Sequence, residues 1–85
     1  MLYNVVILRR ALKSIQRLPV AQANRIFAAI QALSNDPRPL GCEKLKDRSA
    51  LWRIREGDYR IIYTINEQEL LVTVVKVGHR RDVYR

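Results

Sequence analysis

Arginine, histidine and tyrosine gather toward the C-terminal end of this chain, at Arg53, Arg55, Arg60, His79, Arg80, Arg81 and Tyr84. Arg53 and Arg55 alternate with Trp52 and Ile54, and Arg60 lies between Tyr59 and Ile61. Residues i and i+2 of a strand share a face, so if the apolar partners face a core, the three arginines project together from the other side of a hairpin. A guanidinium offers a planar fork of donors that suits phosphate or carboxylate. The plainer account is a solvated sheet face of long polar side chains, with Glu56 and Asp58 in the turn relieving the repulsion. Plainer accounts exist for the tail too: a surface or capping role for His79, and a ring at Tyr84 that packs the last residues onto the sheet.

Arginine, histidine and tyrosine without paired carboxylates suit one reaction well, the cleavage of RNA by attack of a ribose 2′-hydroxyl on the adjacent phosphorus. That reaction needs the backbone held in line, charge on the phosphate oxygens stabilised, and two protons moved. Arginines can do the second task, and a histidine, which ordinarily titrates near 6.5, can do the third. No Ser-His-Asp or Cys-His grouping competes. Gly41, Gly57 and Gly78 stand alone, so no glycine loop cradles a phosphate. One cysteine, Cys42, and one histidine cannot supply an internal disulfide or the three or four protein ligands of a zinc site. The expectation is a protein without metal or cofactor.

The elements that must position these groups can be read from the periodicity. Leu2 to Leu8 is a short apolar run rich in β-branched residues, as expected of a buried strand. Ala11, Leu12, Ile15 and Leu18 form a helical stripe that Pro19 closes, and Ala23, Ile26, Phe27, Ile30 and Leu33 form a second, stopped at Ser34-Asn35-Asp36-Pro37. The pair reads as an antiparallel helical hairpin. Residues 38–48, rich in proline, glycine and charge, are expected to be a mobile loop. Trp52 to Arg55 and Tyr59 to Ile65 then form a β-hairpin around Glu56-Gly57-Asp58, and Leu70 to Val77 a central strand. The expected fold is α+β, one domain over residues 1–85, ordered β-α-α-β-β-β: a mainly antiparallel four-stranded sheet with the helical hairpin on one face.

Charge sharpens the choice of partner. Sixteen Lys plus Arg against eight Asp plus Glu leave +8 on 85 residues, and residues 1–35 hold Arg9, Arg10, Lys13, Arg17 and Arg25 with no acid at all. A polyanion is favoured over a neutral metabolite, the alternative being a basic surface kept for solubility. No apolar run approaches the roughly 20 residues that cross a bilayer, and the N-terminus lacks the pattern of a signal peptide. A cytoplasmic protein with no membrane partner is expected.

Two stretches, Leu51-Trp52-Arg53-Ile54-Arg55-Glu56-Gly57-Asp58-Tyr59-Arg60-Ile61-Ile62-Tyr63 and Val77-Gly78-His79-Arg80-Arg81-Asp82-Val83-Tyr84, together with the first strand, the basic helices and the loop with Leu45, resemble RelE-type toxins of the RelE/ParE toxin–antitoxin superfamily. The resemblance spans nearly the whole chain. It implies an endoribonuclease that enters the ribosomal A site and cuts messenger RNA without metal, leaving a 2′,3′-cyclic phosphate and a 5′-hydroxyl. By the same resemblance Arg53 and Arg55 contact the message and Arg60 stabilises the phosphate. Arg80 acts at the leaving group, and Tyr84 stacks on or orients the attacked nucleotide. Lys44, Lys46 and Arg81 are further candidates for RNA contact. Arg9, Arg10, Lys13, Arg17 and Arg25 are candidates for small-subunit ribosomal RNA or for an acidic, RelB-like antitoxin that wraps the toxin in a hetero-oligomeric complex and binds their shared promoter DNA.

The chain departs from the family pattern in two ways. Arginine stands where some members use a lysine base, and an arginine, with a pKa above about 12, is a poor proton acceptor; His79, Tyr84 or positioning of the hydroxyl must take over, with Arg55 kept in the catalytic group. The sequence also stops one residue after Tyr84, short of the C-terminal helix of some relatives. Two other functions compete: a ParE-like inhibitor of DNA gyrase, and a basic module that binds RNA or antitoxin without catalysis.

Overall fold

A computed structural model describes residues 2–46 and 50–84. Asp47, Arg48 and Ser49 of the loop and Arg85 of the tail lie outside the described residues. The elements run β1 (Asn4–Ile7), α1 (Arg9–Gln16), α2 (Val20–Ala32), β2 (Glu43–Lys44), β3 (Trp52–Glu56), β4 (Tyr59–Asn66) and β5 (Leu71–His79). They build one five-stranded sheet in the order β1-β5-β4-β3-β2. The helical hairpin carries the chain from β1 at one edge to β2 at the other; β1 lies parallel to β5, and every other pairing is antiparallel.

The expected fold class holds, with one strand more than expected. The additional strand, β2, falls inside the segment read as a mobile loop: Glu43 and Lys44 pair with Arg53 and Trp52, and Leu45 N–H donates to the Leu51 carbonyl. Two exposed, charged residues on an edge carry no alternating apolar pattern, so the element leaves no periodic trace in the sequence.

The two helices form as the stripes dictate. Ala11 and Ile15 of α1 and Ala23, Ile26 and Ile30 of α2, followed by Leu33, are buried against Ile54, Ile61, Tyr63, Val72, Val74 and Val77 of the sheet. Neither helix has a side-chain cap or an acid in its first turn. Pro19 stands as the N-cap of α2, where its fixed φ and missing N–H cost nothing. Tyr63 is fully buried; its hydroxyl donates to the Pro37 carbonyl at 2.6 Å, and burial pushes the phenol well above its ordinary range. Ser34 ties the end of α2 to β1, its hydroxyl donating to the Tyr3 carbonyl at 2.7 Å.

One irregularity matters for function. The β4–β5 register shifts between Ile62, opposite Lys76, and Tyr63, opposite Val74, which leaves Val75 as the extra residue of a bulge. Arg10 of α1 donates from Nε to the Val75 carbonyl at 3.0 Å, and Leu8 N–H donates to Val74. The bulge reverses the alternation beyond it. Val77 joins Val72 and Val74 in the core, and Lys76 turns to the face that the helices leave open.

Candidate nucleic-acid interface

Register defines that open face. Arg55 stands opposite Arg60, which stands opposite Gly78, and Arg53 stands opposite Ile62, which stands opposite Lys76. Directly opposed residues share a face, so Arg53, Arg55, Arg60 and Lys76 project on one side. The apolar residues Trp52, Ile54, Ile61 and Tyr63 occupy the other, as the alternation of β3 and β4 predicts.

The C-terminal tail folds back over this face. Gly78 has no side chain, and a Cβ there would lie 3.4 Å from Val83. Val83 is thereby seated on the sheet; it and Ile62 are buried outside the helix-side core. Val83 N–H donates to the His79 carbonyl at 2.9 Å, and Arg80 N–H donates to the Asp58 carbonyl at 2.7 Å. The tail is therefore fixed at the β3–β4 turn, where Gly57 takes the left-handed conformation, φ +60°, that glycine adopts without strain.

Each guanidinium of the face is held differently. Arg60 donates from Nη1 to the carbonyls of Gly57 and Tyr59, both at 3.0 Å. Arg80 lies at the same turn, its Nε 3.8 Å from the Asp58 carboxylate. Arg55 is exposed and has no hydrogen-bond or ion-pair partner among the described residues. Arg53 is the enclosed one, with its side chain only 11% exposed. Its Nη1 donates to the Tyr84 hydroxyl at 3.3 Å. Its Nη2 lies 2.8 Å from Glu43 Oε2 of β2, close enough for an ion pair but not aligned for a hydrogen bond, since Nη2 and Nε are both buried without an acceptor. The hydrogen bond to Tyr84 and the charge of Glu43 raise the Arg53 pKa above its ordinary value against the opposing effect of burial. Arg53 is thus a permanent cation.

The remaining candidates divide by position. Tyr84 is half exposed beside Arg53, and Arg81 is exposed at the tail. His79 is not brought to the arginine face: it pairs with Tyr59, meets that ring edge to face at 5.6 Å, and accepts the Arg81 N–H on Nδ1 at 3.2 Å. Lys44 also lies on the helix side, opposite Trp52, with its ammonium 5.8 Å from the indole, which Arg38 covers at 4.9 Å. Lys46 is exposed in the turn after β2. Arg9, Arg10, Lys13, Arg17 and Arg25 are all exposed on the helical hairpin. Two residues of the open face escape the sequence reading, Lys76 and Glu43. The bulge hides the first, and a strand of two residues hides the second.

Similarity to known proteins agrees with this architecture. The family model described as ParE toxin of type II toxin-antitoxin system matches residues 5–84. Toxin RelE of Mycobacterium tuberculosis is 34% identical, the match covering 98% of this chain and 87% of that one. Toxin RelG of the same organism is 30% identical over 98% and 97% of the two chains. Among solved structures, the archaeal RelE-RelB complex from Pyrococcus horikoshii superposes with a TM-score of 0.83 at 31% identity, over 98% of this chain and 100% of that one. An arginine-rich sheet face under a folded-back tail, on a scaffold shared end to end with these proteins, makes the chain a RelE-type member of the RelE/ParE superfamily of type II toxin–antitoxin toxins.

Proposed function

We propose that this toxin is an endoribonuclease that cuts messenger RNA in the ribosomal A site and so stops translation in the cytoplasm. The observation that carries the reading is the adjacent, in-register pair Arg55 and Arg60 on an open sheet face, with Tyr84 on the same face. Two guanidinium groups side by side repel each other in the free protein, and a phosphate between them relieves that repulsion. Arg60, anchored on two carbonyls, is held in place before substrate arrives, which suits stabilisation of charge that develops on the phosphate oxygens. Arg80, at the turn, serves the leaving oxygen, and Arg55, Lys76 and Arg81 bind the RNA backbone.

The reaction follows from these roles. The ribose 2′-oxygen attacks phosphorus and loses its proton as the 5′-oxygen leaves and gains one, giving a 2′,3′-cyclic phosphate and a 5′-hydroxyl. Tyr84 stacks on or orients the attacked nucleotide. With arginine in place of a lysine base and His79 on the other side of the sheet, alignment by Tyr84 and charge stabilisation by Arg60 supply most of the acceleration, and no step requires a metal ion. Arg9, Arg10, Lys13, Arg17 and Arg25 meet ribosomal RNA of the small subunit or an acidic antitoxin. The RelE relative from Pyrococcus horikoshii is solved with RelB, which supports a RelB-like partner here; blocking of the tail and binding of promoter DNA are further roles we assign to that partner.

The test is incubation of the purified toxin with programmed ribosomes, mapping of message ends by primer extension, and a gyrase supercoiling assay in parallel. New ends within the A-site codon are expected. Absence of such ends with gyrase inhibited would replace this reading by a ParE-like one, and absence of both by RNA or antitoxin binding alone.

A further inference from the structure

Arg53 differs from its neighbours on the open face in a way that changes what it can do. Arg55 is exposed and unpaired among the described residues, whereas the Arg53 side chain is 11% exposed and is flanked by an acid at 2.8 Å and a phenol at 3.3 Å. A phosphate reaching Arg53 would have to displace Glu43, and the two anions would then compete for one cation. The enclosed guanidinium instead joins two segments far apart in the chain, edge strand β2 through Glu43 and the C-terminal tail through Tyr84. The planar guanidinium can donate to the phenol from Nη1 while its Nη2 keeps the ion pair to the carboxylate, which a single ammonium on a flexible stem does less well.

We propose that Glu43 and Arg53 are positioning residues for Tyr84: the Glu43 carboxylate holds the Arg53 guanidinium, and the guanidinium holds the phenol at the edge of the arginine face. This rests on the endoribonuclease reading and alters it, because Arg53 leaves the set that contacts RNA and Glu43 enters the set on which the rate depends. The arrangement explains why an acid sits on a strongly basic surface and why the short strand β2 exists. Pairing of Glu43 with Arg53 in register sets the carboxylate against the guanidinium. Val83, seated on Gly78, fixes the tail from its other end, so the Tyr84 ring has two anchors.

Three variants, Glu43→Gln, Arg53→Lys and Tyr84→Phe, and the Glu43→Gln/Tyr84→Phe double variant test the clamp in two ways. In the protein labelled with fluorotyrosine, the fluorine resonance of Tyr84 is expected to move and to narrow in Glu43→Gln and Arg53→Lys, while those of Tyr3, Tyr59 and Tyr63 stay in place. On programmed ribosomes, Glu43→Gln and Arg53→Lys are expected to lower kcat by about ten- to a hundredfold with little change in KM, as misplacement of an orienting group does. Glu43→Asp should recover most of that loss, and the double variant should be no slower than the slower single one. An unmoved Tyr84 resonance overturns the proposal, as does a raised KM with unchanged kcat in Arg53→Lys, which would return Arg53 to RNA contact. Additive losses in the double variant overturn it as well. If the wild-type protein cleaves nothing, the endoribonuclease reading fails while the resonance still decides whether the clamp exists.

Discussion

The helical hairpin and the open sheet face both carry concentrated positive charge, yet they hold it in opposite ways. On the helices, Arg9, Lys13, Arg17 and Arg25 are exposed with no hydrogen-bond or ion-pair partner among the described residues, and only Arg10 makes a bond, to Val75. On the sheet, Arg53, Arg60 and Arg80 are each held by a named partner, and Arg55 is the exception, exposed without one among the described residues. The difference follows from what each surface must do. Attraction of a polyanion depends on net charge within a Debye length of about 10 Å and tolerates loose side chains. Stabilising one phosphate through a reaction requires groups placed to within about 0.5 Å. Arg9 and Arg10 even occupy the first turn of α1, where the helix dipole disfavours cations, so their charge is kept at some cost to the helix. On the proposed function, the hairpin would gather RNA or an acidic partner and the sheet would do the chemistry.

Neutralising one residue of each surface gives the widest separation. Arg60→Ala is expected to lower the single-turnover rate on programmed ribosomes by about 10²–10³, the effect of removing one preorganised donor from developing charge. Lys13→Ala should leave that rate unchanged at saturating ribosome concentration. Thermal unfolding should leave Lys13→Ala like the wild type and lower the Tm of Arg60→Ala only slightly, through loss of its bonds to the turn carbonyls, since both residues lie outside the hydrophobic core. Equal rate losses in the two variants would erase the distinction between the surfaces.

A smaller effect is expected where the tail meets the sheet. Val83 is 2% exposed and rests against Gly78, and the segment it secures is short, so Val83→Ser should release the tail locally without unfolding the domain. Amide exchange at Arg80 and Val83, whose N–H groups donate to Asp58 and His79, should accelerate, and the cleavage rate should fall by about tenfold through loss of alignment at Tyr84. Faster exchange throughout β4 and β5 would show instead that the tail is part of the core.

These contrasts were only partly legible in the sequence. The stripes at Ala11, Ile15, Ala23, Ile26, Ile30 and Leu33 and the alternation through Trp52 to Ile65 mark elements whose local period matches their burial, so both helices and the hairpin can be read directly. The shared face of Arg53, Arg55 and Arg60 follows from the same alternation and appears in the register. Four features lie beyond it. β2 is a two-residue edge strand with no apolar period to announce it. Lys76 changes face because of one unpaired residue, Val75. The sequence pattern places His79 in a tail leaving the sheet, but β5 continues through it, and the bulge sends its ring to the Tyr59 side. The clamp on Arg53 depends on Glu43, ten positions away in the chain; no periodicity links a loop acid to a strand arginine.

Salt dependence probes the helical surface with a gentler change. If Lys13 and Arg17 contact ribosomal RNA, Lys13→Gln and Arg17→Gln should each flatten the slope of log affinity against log salt for small ribosomal subunits by about 0.7–0.9, with single-turnover cleavage unaffected. Arg53→Gln, although it too removes a cation, should leave the slope as it is, since Glu43 already neutralises that charge. A flattened slope for Arg53→Gln and none for the helix variants would reverse the assignment of the two surfaces.

The smallest effect is expected at His79, the residue whose type most invites a catalytic role. Its ring packs against Tyr59, on the far side of the sheet from Arg60, and its Nδ1 accepts the Arg81 N–H. A glutamine can accept the same N–H through its amide oxygen, so His79→Gln preserves the local hydrogen bond while removing the imidazole. General acid–base catalysis contributes about 10²–10⁴ to a rate, so a true proton donor or acceptor could not be replaced in this way with a loss below about threefold. Single-turnover cleavage by His79→Gln should fall within that limit, and its pH profile between about 6 and 7, where a histidine ordinarily titrates, should superpose on that of the wild type. Loss of a kinetic step in that interval would mean that the tail turns over when RNA binds and carries His79 to the arginine face, and the division between a fixed reactive surface and a loose gathering surface would then hold for the free toxin alone.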